Sequence, residues 1–143
     1  MFKKILVTID PAHKPSWELA LPKAVELAKA SGGVVHVLAV VPEVPSALVA
    51  GFLPKGFETD AVKDAKTLVA KIAETEIGSS ADYRVHVVLG VVHDEILKAI
   101  GRFGADLVVM ASHSPDRVRE FLVGSQADRV VRRSPVSVLV VRG

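Results

Sequence analysis

The chain has 143 residues, close to the roughly 150 of an average domain, so a single core rather than a two-domain enzyme is the expected organisation. Half of the residues are hydrophobic, 24% are charged and 5% are aromatic, which excludes global disorder and favours buried parallel strands over an aromatic-rich sandwich. The formal net charge is only +2, there is no cysteine, and no apolar run approaches the roughly 18 residues of a membrane span, so disulfides, thiol catalysis and a membrane anchor are set aside.

Strand-like and helix-like segments alternate along the chain, as in a parallel sheet with helices on both faces. Met-Phe-Lys-Lys runs straight into an apolar strand, Lys4 to Ile9, rather than into a secretion signal, so the cytoplasm is the expected compartment. Ser16 is placed to cap a helix with the stripe Trp17, Leu21, Ala24 and Ala28, which stops at Gly32-Gly33 and is expected to kink at Pro22. Val34 to Val41 reads as the second strand. A Pro- and Gly-rich, apolar connection from Pro42 to Phe57 follows, suited to a lid, a partner contact or a segment packed over the sheet. Its Gly51 and Gly56 have the spacing of a phosphate loop, but Phe57 stands where that loop needs Lys. Thr59 to Ile77 is the second helix, with Val62, Ala65, Val69 and Ile72 on one face, and Arg84 to Leu89 the third strand. His93 to Phe103 is the third helix, closed by Gly104. Leu107 to Ala111 is a strand, Gly124 to Arg133 a helix and Val136 to Val141 the last strand.

Such a sheet binds ligands in the crevice at the carboxyl ends of its strands, where the winding direction reverses. The polar residues offered there are Asp10 after the first strand and Ser112-His113-Ser114 after the fourth. A phospho-acceptor domain needs clustered acids after the first strand, and a flavin-phosphate loop needs Ser, Thr or Gly there; Asp10-Pro11-Ala12-His13 supplies neither. Ser112, His113 and Asp10 do not make a hydrolase triad, since an adjacent Ser and His rarely meet in nucleophile–base geometry. His93-Asp94-Glu95 reads as acidic capping of a helix dipole rather than a metal site. His36 and His86 read as strand histidines, paired or exposed. After Lys98 the only basic residues are arginines, Arg102, Arg117, Arg119, Arg129, Arg132, Arg133 and Arg142, without the aromatic interleaving of a nucleic-acid surface.

Met110-Ala111-Ser112-His113-Ser114-Pro115-Asp116, followed by Leu122-Val123-Gly124-Ser125, resembles the universal stress protein family, especially its bacterial F and G subclass. Lys4 to Asp10 is similar to that family's first strand and acid, and Ser137 to Arg142 to its last strand, so the resemblance spans the chain. It implies a doubly wound, Rossmann-like five-stranded sheet in the order 3-2-1-4-5. The family's nucleotide binders carry Gly-x-x-Gly, nine residues, then Gly-Ser or Gly-Thr. The resemblance lays that pattern over Ala111, Ser114, Gly124 and Ser125, so only the last of its three glycines is kept. Gly124-Ser125 still opens a helix whose N–H groups can face an anion.

Carried over residue by residue, the resemblance has Asp10 accept from the ribose or adenine and Val40 contact adenine through its backbone. Met110 and Ala111 would line the pocket, with Ser112, His113 and Ser114 near ribose and phosphates. Gly124, Ser125 and the Gln126 amide would hold the phosphates, with Arg117 or Arg119 as charge partners. Asp10 also suits a turn cap, and Gly124-Ser125 an ordinary helix start. The leading expectation is an ATP- or AMP-binding module acting through a protein partner. A slow ATPase or autophosphorylating enzyme, in which Asp10 helps hold Mg²⁺, and a nucleotide-free interaction protein are the alternatives. Val136 to Val141 at the sheet edge is expected to pair with its copy in a homodimer.

Overall fold

The computed structural model describes residues 2–43, 51, 56–112 and 125–143. The strands are β1 (Lys4–Thr8), β2 (Val34–Pro42), β3 (Asp82–Gly90), β4 (Leu107–Ala111) and β5 (Ser137–Val141). They alternate with helices α1 (Ala20–Ser31), α2 (Phe57–Glu76), α3 (Val92–Phe103) and α4 (Ser125–Arg133), and one 3₁₀ turn, Lys14–Ser16, precedes α1. All strand pairs are parallel, in the order β3-β2-β1-β4-β5.

Both faces of this sheet are covered, which is why its strands are apolar runs rather than alternating ones. Ile5 and Val7 of β1 enter the layer under α1 and α2, with Val35, Val37, Leu107 and Val109. Leu6 between them enters the opposite layer with Leu38, Val108 and Met110, against Ile96 and Ile100 of α3 and Val130 of α4. Each such fully buried aliphatic side chain stabilises the fold by about 1.5–3 kcal/mol. The crossovers of β1 and β2 thus lie on one face and those of β3 and β4 on the other, so the winding reverses between β1 and β4.

Local chemistry sets the element ends. Gly32 takes φ 68° after α1, and the Gly33 N–H reaches back to the Ala28 carbonyl at 2.9 Å, a six-to-one closure that satisfies a terminal carbonyl. A Cβ on Gly33 would lie 2.7 Å from the Lys3 carbonyl oxygen, so glycine also lets β1 and the start of β2 come together.

The sequence expectation for α1 needs correction. Ser16 does not cap it; the helix begins at Ala20 with Leu19 at the N-cap and no side-chain cap, because Ser16 is engaged with Asp10. Pro22 is then the third helical residue, where no intrahelical N–H bond is lost, and no kink is required. Smaller differences have similar causes. β1 stops at Thr8, although Ile9 N–H still bonds the Leu38 carbonyl. β3 runs two residues earlier than expected and one later, from Asp82 to Gly90, because β2 pairs with it throughout. α2 starts at Phe57, after Gly56 at φ 83°, and ends at Glu76. β5 starts at Ser137 because Val136 is bound to the Ser134 hydroxyl in a turn. Most of the connection from Pro42 to Phe57 lies outside the described residues.

Candidate functional site

A cleft of about 340 Å³ opens at the carboxyl ends of the strands, at the point where the winding reverses. Its floor is Thr8 of β1, Leu38 and Val40 of β2 and Met110 and Ala111 of β4. Alternation along the strands puts Leu38, Val40 and Met110 on the α3–α4 side, so the floor is largely apolar. Val92 and Ile96, one turn apart on α3, form one wall, and Ser125, Gln126 and Ala127 of α4 form the other. Asp10, His13 and Ser16 form the rim beyond β1.

The loop after β1 holds Asp10 through several bonds. Its N–H donates to Ser16 Oγ at 2.8 Å, and that hydroxyl donates to the Asp10 carbonyl at 2.9 Å. The His13 N–H also donates to this carbonyl, at 2.9 Å. Asp10 Oδ1 accepts the Ala12 N–H at 3.0 Å, a local turn that fixes the carboxylate and leaves Oδ2 unused by it. The turn-capping role open to Asp10 in the sequence is therefore realised, and it sits at the cleft.

Across the cleft, α3 and α4 both present their N-termini. The first N–H groups of a helix have no intrahelical partner and carry the positive end of its dipole. No side chain caps α3 at Val91. On α4, the Oε1 of Gln126 is buried without a hydrogen-bond partner among the described residues, a state that costs about 1–3 kcal/mol until something bonds it. Beside the cleft, Arg129 Nη1 lies 3.4 Å from His93 Nδ1, and His93 Nε2 lies 3.2 Å from Asp94 Oδ1. The guanidinium can only donate, so Nδ1 accepts and Nε2–H donates to Asp94. Glu95 turns instead to Lys98, at 3.4 Å. The His93-Asp94-Glu95 run is thus spent on helix-surface pairs, and among the described residues no three metal-ligating side chains gather.

Of the residues singled out from the sequence, Asp10, Val40, Met110, Ala111, Ser125 and Gln126 share this cleft. Ser112 does not line it; its N–H extends the β4–β5 ladder to the Val141 carbonyl at 2.8 Å. His113, Ser114 and Gly124, and with them Arg117 and Arg119, lie outside the described residues. Sequence reasoning missed Thr8, His13, Ser16, Leu38, Val92 and Ile96. The two-residue step from Val40 to Leu38 and the four-residue step from Val92 to Ile96 were available signals. Nothing in the sequence marked Ser16 as the residue that bonds back to Asp10.

A sequence model of the universal stress protein family matches residues 1–142. The chain belongs to that family. It is 30% identical over 144 aligned positions to Universal stress protein G of Shigella flexneri, covering 99% of this chain and all of that one. Among solved structures, the fold superimposes on universal stress protein UspA from Lactobacillus plantarum with a TM-score of 0.79, at 22% identity, covering 98% of this chain and 97% of that one. A universal stress protein in complex with cAMP gives 0.64 at 22% identity, covering 99% and 97%. The universal stress protein from Archaeoglobus fulgidus in complex with dAMP gives 0.67 at 21% identity, covering 98% of each chain.

Proposed function

We propose that the cleft binds an adenine nucleotide, ATP or AMP, and that this chain is a nucleotide-binding module of a stress response whose liganded state is read by a protein partner. The observation that carries this reading is the polarity of the cleft. An apolar floor of Leu38, Val40 and Met110 and an apolar wall of Val92 and Ile96 suit a flat base, an acceptor stands at the β1 rim, and helix N–H groups stand opposite. A volume of about 340 Å³ falls at the small end of ordinary ligand pockets. The cAMP and dAMP complexes of structural relatives support the same ligand class.

In this reading Asp10 accepts from the ribose or the adenine amine, its carboxylate already oriented by the Ala12 N–H. The Val40 backbone meets the adenine edge, and Met110 and Ala111 pack on the ring. By the family resemblance His113 and Ser114 are assigned to the ribose and phosphates, while Ser112, which does not line the cleft, is left out of the proposal. Gly124, Ser125 and the Gln126 N–H take the phosphates, whose charge the α4 N-terminus favours. When ATP is the ligand, Mg²⁺ would supply further charge neutralisation on its phosphates. The protein acts as a homodimer joined through β5. Native mass spectrometry of the purified protein, with calorimetric titration of ATP and AMP with and without Mg²⁺, tests the binding. A retained or titratable adenine nucleotide is expected. No binding under any of these conditions removes the reading.

A further inference from the structure

On the α3 side of the sheet, where β2, β3 and the last turn of α3 meet, three rings form one stack. His36 of β2 and His86 of β3 are diagonal neighbours, since His36 pairs with Arg84 and His86 with Leu38. Their Nδ1 and Nε2 atoms lie 2.9 Å apart, a hydrogen bond in which one ring donates and the other accepts. Phe103, the last residue of α3, lies nearly parallel to both, with its centroid 5.0 Å from His36 and 3.9 Å from His86. The Arg102 guanidinium stands 5.8 Å from the Phe103 centroid.

The surroundings oppose protonation. Burial, followed by Arg84 of β3 and Lys4 of β1, holds the His36 imidazole below its usual value. Burial, then His36, Arg102 of α3 and Arg84, do the same for His86. Asp106, just before β4, is engaged by the backbone N–H groups of Lys3 and Lys4. Asp82 opens β3 on the same side as Arg84 and His86 but is exposed, where solvent and salt screen it. One proton can be shared across the pair. A second sets N–H against N–H and puts two positive rings side by side among three cations.

We propose that His36, His86 and Phe103 form a proton-released clasp, closed when the imidazoles are neutral and opened when both are protonated, which ties edge strand β3 and the last turn of α3 to β2. β3 is a sheet edge with β2 as its only strand neighbour among the described residues, so this clasp bears on an element that the sheet holds from one side only. β2 and α3 also carry Leu38, Val40, Val92 and Ile96 into the cleft, so the opening reaches the walls of the candidate site. The inference stands on the stack itself and does not require that the cleft bind a nucleotide.

The test follows each imidazole by NMR through a pH titration of the full chain, beside urea unfolding from pH 8 to pH 5. Both histidines are expected to titrate below the usual value of about 6.5. The folded state then binds fewer protons than the unfolded one, so stability is held above about pH 6.5 and falls below it. Each proton taken up only on unfolding raises the unfolding constant by up to about tenfold per pH unit. The double variant His36→Asn, His86→Gln places amide atoms where Nδ1 and Nε2 stand, keeping a hydrogen bond that cannot titrate, and should flatten that fall. Histidines that titrate at or above the usual value overturn the proposal, as does a double variant with the wild-type pH dependence. If the variant does not fold, the wild-type titration decides alone.

Discussion

A single hydroxyl closes the loop after β1: Ser16 Oγ accepts the Asp10 N–H at 2.8 Å and donates to the Asp10 carbonyl at 2.9 Å. The backbone that carries the rim carboxylate is thereby held by a residue six positions away that makes no helix cap. Ser16→Ala removes both bonds at once. At about 0.5–1.5 kcal/mol for each net hydrogen bond, with these groups exposed, the expected loss of stability is about 1 kcal/mol. The loss of ligand affinity should be larger in proportion, because the Asp10 backbone keeps only the His13 N–H and is held more loosely. Ser16→Thr keeps the hydroxyl and should bind as wild type does. Thermal melts with ATP calorimetry check this, and an unchanged affinity in Ser16→Ala would show that the loop does not orient Asp10 for a ligand.

Ser125→Asp probes the other side of the cleft. Like charges about 4 Å apart repel by roughly 4 kcal/mol at an effective dielectric near 20. That exceeds the roughly 0.3–1 kcal/mol by which an exposed helix N-terminus attracts an anion. Nucleotide binding should therefore be lost with the fold intact, since an acid in the first turn suits the helix itself. Ala111→Gly with Ser114→Gly should hold or improve affinity. Ala111 is extended, paired with Val141 at the end of β4, and so needs no glycine for its backbone. Any gain would come from removing bulk near the phosphates. Binding by the double-glycine variant but not by wild type would mean that the loop has left nucleotide behind, in favour of an interaction protein.

The parallel sheet follows from features the sequence displays openly, apolar runs such as Ile5-Leu6-Val7 and Leu107-Val108-Val109 separated by helical stripes and glycine stops, whereas its strand order was legible only through the family resemblance. The rim of the site is less legible. A hydrogen bond from a loop serine to a backbone six residues back has no periodicity, so the sequence points to the more common role of Ser16 as a helix cap. The His36–His86 contact depends on β2–β3 register, which a strand pattern does not give until the partners are known. Ser112 reads as part of the site from its place in the motif, yet its N–H continues the ladder to Val141.

Ile96 joins core and cleft, being 1% exposed within the α3–α4 layer while also lining the cleft wall. Ile96→Ala should cost about 2–5 kcal/mol, through lost transfer energy and an incompletely filled cavity. Ile96→Val should cost about 0.5–1.5 kcal/mol and leave the cleft nearly intact. Urea unfolding of both variants, with nucleotide titration, checks the order. Equal stabilities would mean that α3 repacks to fill the space.

The last prediction concerns assembly, and the parallel register of β5 makes it directional. Ser112 N–H bonds to the Val141 carbonyl, and Ala111 pairs with Val141. In a parallel ladder the N–H and C=O of one residue point to the same neighbour, so Ser137, Leu139 and Val141 address β4 while Val138 and Val140 address the open edge. A second copy adding its β5 antiparallel would use the groups of Val138 and Val140. Val138→Pro should therefore remove a donor needed only by the dimer and yield a folded monomer. Leu139→Pro should remove a donor from the β4 ladder and give aggregate instead. Sedimentation of both variants beside wild type at micromolar concentration separates these outcomes. A wild type that sediments as monomer there, or a Val138→Pro variant that stays dimeric, rules out pairing through this edge.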